Sequence, residues 1–268
     1  MNNLALILVI VAILIFGIWK IVSASNKEEA KEIAEKKPYV PPLPDFASRN
    51  TETGEMTMHL AVAPSETNIG EYLFIDTETT GLPKVRDPKP EEFEYMPRIV
   101  QISWYLLYST MRRVNDADCY LKQEAPIPKE AIKIHGITDE KIAKEGEELK
   151  PVFERLHFDI RRAKYVVAHN IEFDLPIIES EFLRLGIKKP FKGIKKICTM
   201  KAGTKFCKIP RNYGQGYKYP KLEELLEHCY FRGWSNIRIL EAHNANADVL
   251  VTIKCFIKLK ELGHINID

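Results

Sequence analysis

Asp76, Glu78, Asp174, His243 and Asp248 are spread over most of a 268-residue chain, yet their types and local contexts read as one two-metal active site. The first pair falls in Tyr72-Leu-Phe-Ile-Asp-Thr-Glu-Thr-Thr-Gly81, where an apolar run predicts a strand. Residues two apart on a strand leave the same face, so both carboxylates can grip a cation from a rigid edge. Thr79, Thr80 and Gly81 then break the strand and open its end to a ligand. Each member alone has an ordinary reading: a solvated strand end, an acid at a helix start, a surface histidine beside a cap. Only the set is persuasive.

The elements that must position the others follow from hydrophobic spacing. Asp174 closes His169-Asn-Ile-Glu-Phe-Asp174, after the short apolar run Tyr165-Val-Val-Ala168 and before a helical pattern through Leu175, Ile178, Phe182 and Leu185. An acid there is favoured by the positive end of the helix dipole. Asn170 is the candidate N-cap, and Pro176 predicts that the helix begins no earlier than about Phe173. His243 and Asp248 open a second pattern, Val249, Leu250, Ile253, Phe256, Ile257 and Leu259, which Gly263 ends. His243 falls on a loop or first turn, where an imidazole near cations can take a proton from water and leave with it.

The three motifs Phe-Ile-Asp76-Thr-Glu78-Thr-Thr-Gly, His169-Asn-Ile-Glu-Phe-Asp174 and His243-Asn-Ala-Asn-Ala-Asp248 resemble, in order and spacing, those of the DEDDh 3′-to-5′ exonucleases. That family includes proofreading exonuclease subunits of bacterial replicative polymerases and ribonuclease T. The likeness runs from about Glu71 to Gly263. The histidine five positions before the last aspartate marks the h-type, whereas the y-type carries a tyrosine at the place of Asn244. Arg98-Ile-Val-Gln-Ile-Ser103 and Ile127-Pro-Lys-Glu-Ala-Ile-Lys-Ile-His135-Gly-Ile-Thr138 are also family-like, and Val249 departs from the usual alanine. The resemblance implies that Asp76, Glu78, Asp174 and Asp248 hold two divalent ions and that His243 is the general base. Hard oxygen donors with no cysteine select Mg2+ or Mn2+ over zinc. Two such ions about 4 Å apart supply charge to a phosphodiester and activate water. Four crowded acids should repel without metal, so raised carboxylate pKa values are expected.

The formal net charge is only +2, but its distribution is uneven. From Arg184 to Lys221 there are many Lys and Arg and no Asp or Glu, with Phe206, Tyr213, Tyr217 and Tyr219 interleaved. This suits phosphate attraction and base stacking, although a solvated lysine-rich face has the same composition. Thr79, His135, Lys196 and Tyr213 are taken as candidate substrate-binding residues, His135 having a buried structural role as its alternative.

Leu4 to Trp19 is apolar and near bilayer length, without a basic start, and reads as a retained transmembrane anchor despite the cleavage-like Val22-Ser-Ala24. Lys20, Lys27, Lys31, Lys36 and Lys37 follow it, which by the positive-inside rule keeps the rest of the chain in the cytoplasm. Three segments are expected: a membrane anchor over residues 1–24, a charged helix and irregular Pro-rich tether over 25–64, and a catalytic domain over 65–268. Five cysteines without metal or redox spacing agree with a reducing compartment.

The strand-like runs at Glu71 to Asp76, Arg98 to Tyr108, Arg113 to Leu121, Tyr165 to Ala168 and Ile194 to Thr199 argue for an α/β fold. The resemblance sharpens this to a ribonuclease H-like mixed five-stranded sheet flanked by helices. The expected partners are nucleic-acid 3′ ends, DNA or RNA, and the membrane. Two other functions stay open: a non-catalytic nucleic-acid-binding module on the same fold, and a secreted nuclease if the leader is cleaved.

Overall fold

Tyr72-Leu-Phe-Ile is buried on both faces, as a strand sandwiched between helix layers must be, and it starts the central strand of a sheet. The structure, a computed structural model, describes residues 47–49, 56–58, 70–230 and 243–267. The chain divides into two compact units, Met1–Val62 and Ala63–Asp268. In the first, β1 (Ala47–Arg49) and β2 (Met56–Met58) pair antiparallel, a short ribbon inside the stretch expected to be irregular. The expected membrane anchor and charged helix lie outside the described residues. Among those described, no helix is long and apolar enough to cross a membrane.

The second unit is an α/β fold. Its strands are β3 (Tyr72–Thr79), β4 (Ile99–Leu107), β5 (Arg113–Tyr120), β6 (Tyr165–Ala168) and β7 (Lys195–Cys198), in the order β5-β4-β3-β6-β7. The β5-β4-β3 pairs are antiparallel and the β3-β6-β7 pairs parallel, so the sheet is mixed. Its helices are α1 (Lys129–His135), α2 (Asp139–Glu145), α3 (Leu149–Ile160), α4 (Ile171–Arg184), α5 (Thr199–Cys207), α6 (Leu222–Tyr230) and α7 (Ala245–Glu261). Side-chain alternation along β3 feeds two cores. Leu73 and Ile75 pack with α3 and α4, and Tyr72 and Phe74 pack with α6 and α7. Phe74 meets Phe256 of α7 edge-on at 5.1 Å, and Val249 is accommodated without exposure in the same core.

All five strand-like runs form strands. β3 continues beyond Asp76 to Thr79 because Thr79 still pairs with Ile99 after a bulge. Helix α4 begins at Ile171, two residues before the start that Pro176 suggested, and carries the proline inside. The missing proline N–H would have met the carbonyl of Glu172, an exposed residue, where water can replace it. Asn170 is the N-cap, but in the left-handed conformation (φ 68°) and without a side-chain cap bond. Its contribution there is tolerance of that backbone.

The turn after β3 is fixed from outside. The Thr80 N–H donates to the Arg98 carbonyl (2.9 Å) and the Arg98 N–H to Thr80 Oγ1 (3.0 Å). Arg98 Nε also donates to Glu181 Oε1 of α4 at 2.7 Å. Glu181 is only 1 % exposed, and the Arg184 guanidinium stands farther off at 3.6 Å. Removing Arg98 strips a buried carboxylate of its closest partner. Arg98→Ala is expected to cost about 3 kcal/mol of stability, read as a lower urea midpoint; an unchanged midpoint would show the pair to be dispensable.

Candidate active site

Strand pairing places Asp76 opposite Ser103 and Glu78 opposite Gln101, so the two acids share one face of the sheet with a polar stripe from β4. Thr77 between them points the other way and holds Asp174. Its hydroxyl donates to Asp174 Oδ1 at 2.8 Å and its N–H to the same oxygen at 3.2 Å. Asp174 is thereby drawn from the first turn of α4 to the strand that carries Asp76 and Glu78. Gly81 ends the strand's turn at φ 147°, a backbone that only glycine adopts readily.

Asp248 arrives from the first turn of α7, whose N-cap Asn244 accepts from the N–H groups of Asn246 (3.1 Å) and Ala247 (3.2 Å). His243 precedes that cap, exposed and left-handed at φ 66°. Ligand atoms of Glu78, His243 and Asp248 lie within 4.8 Å of one another, a spacing that a single metal ion can span. Asp76 and Asp174 join the same cluster electrostatically. Burial first, then the charges of Asp174, Asp248 and Glu78, hold the Asp76 carboxyl well above the usual range. Burial followed by Asp248 and Asp174 pushes Glu78 to about 8. Burial lifts Asp174 to about 7 against the two Thr77 bonds, with Asp248 adding to the rise. Burial lifts Asp248 to about 6, opposed by His243.

Four acids that are costly to ionise together fit divalent cations. The donors the four acids offer are carboxylate oxygens, without thiolate, a set suited to hard ions.

The candidate substrate residues divide. The Thr79 hydroxyl donates to the Gly81 carbonyl (2.7 Å), so it braces its own turn. His135 ends α1, and its Nδ1 accepts from the Ile137 N–H at 3.0 Å. Burial lowers its pKa, against the Thr79 backbone and with the nearby charge of His243, so the ring stands close to the site. Lys196 does not gather there. It lies on edge strand β7 level with Val166 and Leu73, roughly 10 Å short of Asp76 along the strands and two strands away, beside Glu179.

Tyr213 is 91 % exposed near the tip of a hairpin in which Pro210 pairs with Tyr217. The hairpin's C-terminal base is tied to the second motif, since His169 Nε2 contacts the Pro220 carbonyl (3.1 Å) while its Nδ1 contacts Thr199 Oγ1 (3.1 Å). Since a carbonyl only accepts, Nε2 carries the proton. The basic stretch is also less basic in space than in sequence, because Glu172, Glu224 and Glu223 pair with Lys201, Lys218 and Lys221.

Sequence reading missed Thr77, Gln101, His169 and Asn244 as site-building residues. The available signal was polar residues at alternate positions of an otherwise apolar buried strand, Gln101 and Ser103 in β4.

A five-stranded mixed sheet flanked by helices, with acids on its central strand and on two of those helices, is similar to the ribonuclease H-like fold. The chain belongs to the exonuclease family typified by ribonuclease T, whose family model matches residues 73–256, and to its DEDDh 3′-to-5′ branch. It is 26 % identical over 195 residues to the PolC-type DNA polymerase III of Caldanaerobacter subterraneus subsp. tengcongensis, covering 72 % of this chain and 12 % of that one. It is 30 % identical over 120 residues to the DNA polymerase III epsilon subunit of Haemophilus influenzae, covering 45 % and 44 %. The chain thus spans less than half the length of these relatives. An uncharacterised exonuclease of Escherichia phage 186 is 26 % identical over 191 residues, covering 68 % of this chain and 84 % of the phage protein. The fold is that of E. coli exonuclease I in complex with a dT13 oligonucleotide, at TM-score 0.54, 20 % identity, and coverage of 71 % of this chain and 40 % of that one.

Proposed function

We propose that the chain is a metal-dependent 3′-to-5′ exonuclease that hydrolyses DNA or RNA to nucleoside monophosphates. The observation that carries it is the convergence of Asp76, Glu78, Asp174 and Asp248 beside His243, from a central strand and two helices. The four carboxylates would hold two Mg2+ or Mn2+ ions. Divalent cations bound there supply positive charge to the scissile phosphate and lower the pKa of water. Thr77 keeps Asp174 turned toward the strand. His243, exposed beside Glu78 and Asp248, accepts the proton of the attacking water and passes it to solvent. His135 and the turn Thr79 to Gly81 border the place where a terminal nucleotide reaches the carboxylates. A purely binding role would need none of the five in place.

The dT13 strand in exonuclease I and the polymerase relatives support a nucleic-acid substrate. Digestion of 5′-labelled single-stranded DNA, RNA and duplexes tests the reading. A ladder shortening from the 3′ end supports it, and intact substrate under all conditions would refute it.

The hairpin offers Tyr213 as a stacking ring, with Arg211 and Lys208 nearby along the chain. Tyr213→Ala is expected to raise KM about 5-fold, for roughly 1 kcal/mol of lost stacking, with kcat unchanged. A change confined to kcat would move the ring from binding to chemistry. The apolar run Leu4 to Trp19 and the lysines after it support a membrane tether with a cytoplasmic catalytic domain. Protection of the domain from protease on intact cells, and its digestion in inverted vesicles, is the expected result.

A further inference from the structure

We propose that Gln101 is a positioning residue that sets the distance between the strand carrying Glu78 and the helix carrying Asp248 beside His243. The side chain is wholly buried on β4, directly opposite Glu78 in the strand register. Its Oε1 accepts from the Ala245 N–H at 3.3 Å. Its Nε2 donates to Asp118 Oδ1 of β5 at 2.7 Å, an oxygen that also accepts from Ser103 Oγ at 2.5 Å. A backbone N–H can only donate, so the amide orientation follows from its partners.

The start of α7 explains why this bond matters. The first N–H groups of a helix lack intrahelical acceptors. Asn244 Oδ1 takes those of Asn246 and Ala247, and the Asn244 carbonyl takes that of Asp248 at 2.9 Å. The Ala245 N–H is the one the cap leaves over, and Gln101 takes it. Ala245 lies two residues after His243 and three before Asp248, so the bond fixes both to the sheet at Glu78. Tyr105, four residues further along β4 and on the same face, adds a second tie from its hydroxyl to Asn246 Oδ1 at 3.0 Å. Asp118 completes the arrangement by holding the amide from behind. A carboxylate at position 101 would still accept from Ala245 but would face Asp118 with like charge. An amide at position 118 would then restore a donor.

The inference rests on the exonuclease reading, and its test has a readout that does not. The full chain is prepared as wild type, Gln101→Met, Gln101→Glu and the pair Gln101→Glu with Asp118→Asn. Amide hydrogen exchange at Ala245 is measured without metal or substrate, and kcat and KM are measured on a labelled single-stranded oligonucleotide with Mg2+. Both single variants are expected to exchange about tenfold faster at Ala245. Their kcat is expected to fall about 10–100-fold, as for partners that orient a metal site, with KM within about 3-fold. The pair is expected to recover most of both losses. Single variants matching wild type in exchange, a kcat that falls only with the folded fraction, or a pair no better than Gln101→Glu would overturn the proposal. A wild type without turnover would instead sink the exonuclease reading, and the exchange data would still decide the role of Gln101.

Discussion

Replacing Asp76 or Asp174 by alanine is expected to lower kcat by about 10³-fold or more while leaving strand binding within a few-fold. A bound cation contributes several kcal/mol of charge stabilisation, and each 1.4 kcal/mol is about tenfold in rate. Asp174 is buried and Asp76 is half-buried, so neither offers a ready contact to the strand itself. His243→Ala should lose about 10²–10⁴-fold, the range for removing a general base, and more activity should return at higher pH as hydroxide replaces it. Thr77→Val, which removes only the hydroxyl bond to Asp174, should fall between these and wild type. Single-turnover rates with enzyme in excess give the comparison. Asp76→Ala turning over at a tenth of the wild-type rate would remove that carboxylate from the chemistry.

The second large effect concerns stability and runs against activity. In the unfolded chain Asp and Glu titrate near 4, whereas folding raises Asp248 to about 6, Asp174 to about 7 and Glu78 to about 8. The folded state therefore keeps protons that the unfolded chain has released. The resulting stability is complete below about pH 4 and is lost as pH rises through those folded values. Without metal, the melting temperature should fall between pH 5.5 and pH 8. Mg2+ or Mn2+ should restore it, by about 2.7 kcal/mol at a hundredfold excess over Kd. Asp76→Asn should flatten the fall, because it removes a repelling charge, and should lose most of the response to cation. Calorimetry in chelator and in metal at both pH values gives the four numbers. A metal-free protein as stable at pH 8 as at pH 5.5, with no gain on adding cation, would mean that the acids are not competing for protons.

The sheet was legible because each strand is an apolar run bounded by turn residues, and burial on both faces kept those runs unbroken. The five site residues were legible as a set because Asp76 and Glu78 keep strand spacing, while Asp174 and Asp248 stand at helix starts. The start of α4 was misplaced because Pro176 argues locally for a later beginning, whereas a carbonyl at an exposed turn tolerates the lost bond. Lys196 was chosen from charge along the chain, and charge along the chain does not tell which edge of a sheet it decorates. Gln101, Thr77 and His169 act through partners 144, 97 and 51 residues away, pairings that no local pattern carries. The membrane anchor falls outside the described residues.

The most direct test of the central claim is anomalous scattering from crystals of the second unit soaked in Mn2+. Manganese bound among the carboxylates of Asp76, Glu78, Asp174 and Asp248, and lost in Asp76→Ala, is the predicted result. Peaks confined to other surfaces, or none at millimolar Mn2+, would contradict it.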